Sequence, residues 1–176
     1  MAIETMASHV IIAKQFKNDL PNLWYAFGRT SPWDSEENPP SEDMYTTNIE
    51  EIVGYKHFEK AALVVPTNQL AKDAITDNIL TYKGQEWQVA SDDEALKYGA
   101  RYVYLETTVE PDDLPYAVYR QVGVYQGLVP TDAAKNKSAL IPTEVQAAGT
   151  LLGYDNRLFQ RYAENVKLKE KFVLKF

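Results

Sequence analysis

The most constraining feature of this 176-residue chain is the segment 23–40, which reads LWYAFGRTSPWDSEENPP. Its first half is short, apolar and aromatic, which is typical of a buried β-strand. Gly28 ends that strand, and a Pro-Trp pair, several carboxylates and a Pro-Pro pair follow it. Because proline restricts the backbone φ angle, this second half predicts a stiff acidic loop over about 29–46, with Trp33 as its anchor.

The charge and composition of the chain limit the classes of partner. The formal net charge is −7 and the pI is near 4.9. Nucleic acids and anionic lipids both attract basic surfaces, so we expect no nucleic acid and no membrane as partner. No cysteine is present, which excludes disulfides, thiolate metal sites and a cysteine nucleophile. We expect no signal peptide and no membrane helix, since no apolar run approaches ~20 residues.

Helical patterns are concentrated in the first third of the chain. The first covers about 9–20, with Ser8 as its cap and an apolar stripe at Ile12, Phe16 and Leu20. The second begins at the capping box TNIE, residues 47–50, and extends to about Gly54. A short turn of helix is also expected between Ser91 and Gly99.

Strand patterns occupy most of the remainder, and Lys83-Gly84 predicts a tight hairpin turn between two of them. We expect a loop over 130–142, and 144–152 fits either a helical turn or a strand. The fold class is therefore α+β: one β-dominated domain over 1–176, with a sandwich-like antiparallel sheet and short helices in the N-terminal third. The predicted strands are 22–28, 61–65, 79–82, 85–89, 101–109, 116–128 and 165–176.

Candidate catalytic and metal-binding residues each have a structural interpretation. The carboxylates of the acidic loop could bind calcium, but their spacing differs from an EF-hand. The clusters 92–94 and 112–113 lie where carboxylates complement helix or turn amides. His9 and His57 lack the pattern of a triad or a zinc motif. We therefore predict no enzyme activity, no catalytic residue, no cofactor and no metal. The acidic loop carboxylates are Asp34, Glu36, Glu37, Glu42 and Asp43.

The loop segment carries a resemblance to a known family. Residues 24–33, WYAFGRTSPW, followed by ENPP at 37–40, resemble the signature Y-x-F-I-G-x-x-x-P-W-x-D-E-N-x-P-P of baseplate wedge proteins of contractile-tailed bacteriophages. The segment 60–66 is similar to the strand ending in Ile-Pro or Val-Pro that follows in that family. The segment 119–123, YRQVG, resembles a strand found late in the same proteins.

The predicted helix at 9–20 stands where that family has a short N-terminal helix, and Phe16 matches its buried aromatic residue. Two departures are evident. Ala26-Phe27 replaces the commoner Phe-Ile, and a Trp-x-x-Gly-x-x-Tyr segment after Pro66 is absent.

The resemblance implies a non-enzymatic structural subunit of the virion, located in the tail baseplate after synthesis in the host cytoplasm. It implies a wedge or tail subunit that joins neighbouring baseplate and tail proteins during assembly of a contractile tail. Such a subunit would be a homo-oligomer or would be present in several copies, in an assembly of three-fold or six-fold symmetry.

The role of Trp33 has two interpretations: it either pins the loop to its own domain or anchors a partner. The alternative is a small calcium- or carbohydrate-binding module of a tail or adhesin, using Trp33 or Trp87. The predicted partner-binding residues are Arg29, Pro32, Trp33, Asp34, Pro39 and Pro40.

Overall fold

The computed structural model describes residues 2–162 and 166–176. In these ranges the chain forms two α-helices, α1 (Met6–Asn18) and α2 (Ala95–Tyr98), and four short 3-10 helices, at Leu20–Asn22, Thr67–Gln69, Lys72–Ala74 and Pro142–Glu144. It also forms twelve strands, which in chain order are β1 (Leu23–Gly28), β2 (Gly54–His57), β3 (Lys60–Pro66), β4 (Ile79–Tyr82), β5 (Gln85–Ala90), β6 (Tyr102–Val109), β7 (Ala117–Gln126), β8 (Val129–Pro130), β9 (Ala139–Leu140), β10 (Val145–Ala147), β11 (Thr150–Tyr162) and β12 (Leu168–Lys175).

The described residues fall into two compact units. The first comprises Met1–Leu20, Glu59–Glu106 and Lys171–Phe176, and the second comprises Pro21–Phe58 and Thr107–Glu170. The strand pairs with a defined register are all antiparallel. The predicted α+β class, dominated by antiparallel sheets and with a short N-terminal helix, is therefore confirmed. The prediction of one domain over 1–176 remains a prediction.

The first unit is built on a sheet with strand order β12-β6-β3-β5-β4. Val64, Trp87 and Tyr104 form a buried cluster on it. Helix α1 packs on β3, and the Phe16 ring lies 4.8 Å from that of Phe176 between centroids. No helix in the described ranges has the length and apolar composition that spanning a membrane requires.

Helix α1 begins three residues before the predicted start. Its cap is Thr5, whose side chain accepts a hydrogen bond from the Ser8 backbone, so the prediction of Ser8 as the cap is wrong. The buried face is Val10, Ala13 and Phe16. Phe16 is buried as expected, whereas Ile12 is exposed because it lies on the flank of that face.

The predicted hairpin is confirmed, with β4 and β5 joined by two residues. Both turn residues have positive φ, 46° at Lys83 and 76° at Gly84. A two-residue turn of this kind matches the twist of the strands that it joins.

The second unit contains a five-stranded sheet of order β11-β7-β1-β2-β9 and a small pair, β10-β8. All six residues of β1 are buried, as its aromatic composition predicts. Trp24, Ile49, Tyr55 and Tyr125 belong to one core cluster. Gly123 on β7 is a close approach, since an added Cβ would lie 2.9 Å from Leu151 Cδ1.

The helix predicted over 47–54 is wrong, because residues 47–53 contain no helix. Its backbone amides are engaged by distant groups instead. Ile49 N donates to the Tyr125 hydroxyl at 3.1 Å, and Glu50 N donates to Gln121 Oε1 at 2.8 Å. Val53 N donates to the carbonyl of Phe27 at 2.9 Å. Burial of Ile49 in the core favours this extended path over the local capping signal.

Two C-terminal elements differ from the predicted boundaries. Strand β11 lies at the edge of its sheet, and no strand was predicted over most of its length. The predicted strand 165–176 corresponds to β12, which covers Leu168–Lys175; Asn165 lies outside the described residues.

Candidate functional site

The connection between β1 and β2 is a long loop without helix or strand, residues 29–53, called here the 29–53 loop. Loops longer than about 12–15 residues without secondary structure are uncommon, and when ordered they are frequently functional. The loop lies against β7 and β11 of its own unit, and side chains of both strands hydrogen-bond to it.

The loop leaves β1 through Arg29, whose φ is 54°. Arg29 N donates to the carbonyl of Glu50 at 2.6 Å, which ties the two ends of the loop together. The Arg29 guanidinium forms an ion pair with the Glu50 carboxylate and donates to the carbonyl of Pro32 at 3.2 Å. It also lies 4.2 Å from the centroid of the Trp33 ring, a favourable cation–π distance.

Trp33 is buried, with 8% of its surface exposed. Its indole Nε1 donates to the carbonyl of Arg157 on β11 at 2.9 Å. Of the two roles that the sequence left open for Trp33, these contacts are those of an anchor that pins the loop within its own unit.

Arg120 on β7 forms a second attachment, and it is buried. Its Nε lies 2.9 Å from both carboxylate oxygens of Glu36, and its Nη2 donates to Glu36 Oε1 at 2.6 Å. Its Nη1 donates to the carbonyl of Thr30 at 2.6 Å. The hydrogen bonds from Arg120 lower the pKa of Glu36.

Glu51, near the C-terminal end of the 29–53 loop, binds residues at the start of the loop. Its carboxylate accepts hydrogen bonds from the hydroxyls of Ser31 and Thr30 at 2.6 and 2.5 Å. It also accepts from both of their backbone amides at 2.8 Å. These hydrogen bonds, led by the one from the Ser31 hydroxyl, lower the pKa of Glu51 to about 2.

The distal part of the loop is fixed by Asn156 on β11. Asn156 N donates to Glu42 Oε1 at 3.0 Å, and Asn156 Nδ2 donates to the carbonyl of Pro40 at 2.9 Å. Gln121 Nε2 in turn donates to Asn156 Oδ1 at 2.9 Å. The loop therefore has a defined path along its length.

The structure brings four of the six predicted partner-binding residues together. Arg29, Trp33, Asp34 and Pro40 line a recess of about 350 Å³. Pro32 is exposed and Pro39 is half-buried, and neither lines that recess.

The loop carries an unusual share of the negative charge. Residues 30–53 include seven carboxylates and no Lys or Arg. The rest of the chain has 18 acidic and 18 basic residues, whose charges cancel. The formal net charge of −7 is therefore equal to the charge of residues 30–53. The seven carboxylates are Asp34, Glu36, Glu37, Glu42, Asp43, Glu50 and Glu51.

Several residues that position the loop were not among the predicted site residues. Arg120 and Gln121 have a detectable signal in the sequence, because they interrupt an apolar strand. The structure buries both side chains. Asn156, and Tyr154, whose hydroxyl lies 2.5 Å from Asp43 N, have none, since β11 shows no clear alternation of polar and apolar residues.

The acidic clusters and His57, considered above as candidate catalytic or metal-binding residues, make structural contacts. Asp92 accepts from Lys17 Nζ at 2.5 Å in the first unit, and Asp113 accepts from the buried Lys56 at 2.7 Å in the second. The His57 ring packs against that of Trp24, with centroids 3.6 Å apart and the planes tilted by 34°, and burial lowers the pKa of His57.

The calcium and carbohydrate alternatives gain no support from the geometry. Over residues 2–162 and 166–176, no three acidic, His or Cys side chains converge as metal ligands would. All three tryptophans, Trp24, Trp33 and Trp87, are buried, so none offers an exposed face for stacking a sugar.

Comparison with known proteins agrees with the predicted resemblance to baseplate wedge proteins. A family model described as "Baseplate wedge 3 tail fiber network component" matches residues 1–176. The chain is also similar to "Virion protein 3" of Enterococcus phage phiEF24C, with 36% identity over 174 residues that cover 99% of this chain and 94% of that protein. The chain therefore belongs to the family of baseplate wedge 3 tail fiber network components and has a structural role in a bacteriophage virion.

Proposed function

We propose that the protein is a non-enzymatic subunit of a contractile tail that joins neighbouring baseplate and tail proteins during assembly. The observation that supports this function most directly is the 29–53 loop. It is long and acidic, yet hydrogen bonds to β7 and β11 hold it in a single path. A surface that is already ordered loses less conformational entropy on binding than a flexible one.

The proposed contact surface is the accessible side of this loop. Pro32, Asp34 and Pro40 are exposed, and Pro39 is half-buried beside them. Trp33 and Arg29 hold that surface in position: Trp33 binds the Arg157 carbonyl, and Arg29 pairs with Glu50. The six predicted residues therefore divide into four that meet the partner and two that hold them in position.

The charge of the loop suits assembly with basic protein surfaces. Complementary charge steers association and disfavours wrong partners. Because the segment 30–53 has no cation of its own, we propose that the neighbouring baseplate surfaces are basic. The protein would occupy several equivalent positions of three-fold or six-fold symmetry in the virion, with synthesis in the host cytoplasm and without nucleic acid or membrane as partner.

The copy number tests the proposed location. Quantitative mass spectrometry of purified virions should find the protein in a multiple of three or six copies. Its absence from virions, or a copy number that fits neither symmetry, would contradict the proposal.

A pair of charge-reversal variants tests the role of the loop. Asp34→Lys with Glu37→Lys changes two exposed loop carboxylates, and Asp77→Lys with Asp132→Lys makes the same charge change at exposed positions elsewhere. Supplied in trans to a phage that lacks its own copy, the loop variant should enter virions at least tenfold less than wild type. The control variant should enter normally. Equal incorporation of both variants would count against the loop as the contact surface.

A further inference from the structure

The most exposed large apolar side chains of the second unit are two neighbours in the 29–53 loop. Met44 is 87% exposed and Tyr45 is 81% exposed. The next in the described part of that unit is Val166, at 56%. Single exposed apolar residues are common on proteins, but an adjacent pair exposed to this degree is unusual.

The backbone presents this pair at the tip of a defined turn. Thr46 N donates to the carbonyl of Asp43 at 3.0 Å, which closes a β-turn with Met44 and Tyr45 at its two central positions. Asp43 Oδ1 also accepts from Tyr45 N at 2.9 Å. Central residues of such a turn direct their side chains away from the chain that it joins, so both side chains face solvent.

A residue on the neighbouring strand fixes the turn from beneath. The Tyr154 hydroxyl lies 2.5 Å from Asp43 N and 3.0 Å from Thr46 Oγ1. It therefore contacts both ends of the turn. Two large apolar side chains on a fixed turn have the form of an anchor that enters a pocket, since little backbone freedom is lost on binding.

The residues around the turn define the chemistry of the pocket. Glu42 and Asp43 directly precede Met44, and both are exposed. The nearest basic residues along the chain are Arg29 and Lys56. Arg29 is paired with Glu50 and Lys56 with Asp113. The anchor is thus apolar at its tip and acidic at its base, and its complement is an apolar pocket with Lys or Arg on its rim.

We infer that Met44 and Tyr45 are the anchor through which this protein docks into an apolar, basic-rimmed pocket of a different baseplate protein. The inference rests on the proposed function and adds to it the residues that enter the partner and the kind of surface that receives them. Trp33 differs from this pair because its indole is already engaged by Arg157 and Arg29.

Methionine oxidation tests the burial of the anchor in the native virion. In the isolated protein, dilute peroxide should oxidise Met44 faster than Met6, which is 45% exposed. In intact virions the rate at Met44 should fall at least tenfold. An unchanged rate at Met44 in virions that contain the protein overturns the inference but leaves the proposed function intact. Absence of the protein from virions overturns the proposed function itself.

Photo-crosslinking identifies the protein whose pocket receives the anchor. Tyr45 is replaced by benzoylphenylalanine in virions, which are irradiated and digested. The expected product joins position 45 to an apolar segment of a different virion protein that has Lys or Arg near the crosslinked site. A crosslink to a second copy of this chain, a crosslink to an acidic surface, or no crosslink overturns the inference.

A double variant tests the energetic role of the pair. Met44→Ser with Tyr45→Ser should leave the thermal midpoint of the isolated protein nearly unchanged, because both side chains are exposed. Its incorporation into virions should fall at least tenfold. The matched control is Ile11→Ser with Ile12→Ser, an adjacent apolar pair about half exposed on α1 of the first unit, which should be incorporated at least tenfold better than the anchor variant. Normal incorporation of the anchor variant overturns the inference.

Discussion

Arg120 and Glu36 form the contact that ties the 29–53 loop to β7, an interior strand of its sheet, although 84 positions separate them in the chain. The two partners differ in burial, since the side chain of Arg120 is 7% exposed and that of Glu36 is 40% exposed. Arg120 also donates to the Thr30 carbonyl, so one buried cation holds two points of the loop. Because Arg120 makes both attachments, replacing it releases Glu36 and Thr30 together, which makes Arg120 the more informative residue to change.

Arg120→Ala should lower the free energy of unfolding by about 2–4 kcal/mol, because it removes a packed side chain and its charge-assisted hydrogen bonds. Amide exchange should accelerate first over residues 30–36. Urea unfolding and hydrogen exchange measure the two effects. Arg161→Ala, at an exposed arginine of β11, is the control and should change stability by less than about 0.5 kcal/mol. Equal losses in the two variants would show that the contact does not hold the loop.

The start of the loop should loosen in acid. The pKa of Glu51 is depressed from 4.5 to about 2 in the folded protein. A depressed carboxyl pKa stabilises the folded state above the unfolded pKa, and this stabilisation is lost as the pH falls through the folded value. The loss should therefore occur between pH 4.5 and 2. Amide exchange at Thr30 and Ser31, followed across that range, measures it.

Glu51→Gln provides the control for this pH dependence. The amide keeps the shape of the side chain but cannot ionise, so amide exchange at Thr30 and Ser31 should be faster at pH 7 and nearly flat below pH 4.5 after correction for intrinsic rates. If the variant keeps the acid-dependent loosening of the wild type, another group is responsible.

Trp33 should contribute to stability in two separable ways. Trp33→Phe keeps an aromatic ring but removes the hydrogen bond to the Arg157 carbonyl, which should lower the free energy of unfolding by about 0.5–1.5 kcal/mol. Trp33→Ala also removes the buried ring and should cost about 3–5 kcal/mol. Urea unfolding followed by circular dichroism compares them. A Trp33→Ala protein as stable as wild type would mean that the loop is not packed in solution.

Elements with local signals were predictable from the sequence. The hairpin of β4 and β5 needs only Lys83-Gly84 and the flanking residues, and β1 needs only its own aromatic composition. The stiff acidic loop after Gly28 was also recognisable, because prolines and carboxylates act on their immediate neighbours.

Features that depend on distant residues were not predictable. The capping-box sequence at 47–50 favours a helix locally, but Tyr125 and Gln121 bind the amides of Ile49 and Glu50. The contact that pins Trp33 to its own unit could not be predicted either, because the acceptor is the Arg157 carbonyl, 124 positions away in the chain. Strand β11 has no comparable local signal, because much of it is exposed and its register with β7 is interrupted twice.

Gly28 should be intolerant of any side chain. An added Cβ would lie 2.3 Å from the carbonyl oxygen of Glu50 and 3.0 Å from Ile52 Cα, and both are backbone atoms that cannot rotate away. Gly28→Ala must therefore displace the returning end of the loop, at a cost of at least ~2 kcal/mol, and weaken the hydrogen bond from Val53 N to Phe27.

Gly84→Ala is the matched control for Gly28→Ala. Gly84 has a φ of +76° but no atom within 4 Å of an added Cβ, so its replacement should cost only about 1 kcal/mol of backbone strain. Urea unfolding gives the two free energies, and amide exchange at Val53 should accelerate in Gly28→Ala but not in Gly84→Ala. The opposite order of stabilities would contradict the close approach of residues 50–52 to the end of β1. It would also mean that the hydrogen bonds of Glu50 and Glu51, which join the two ends of the loop, contribute little to stability.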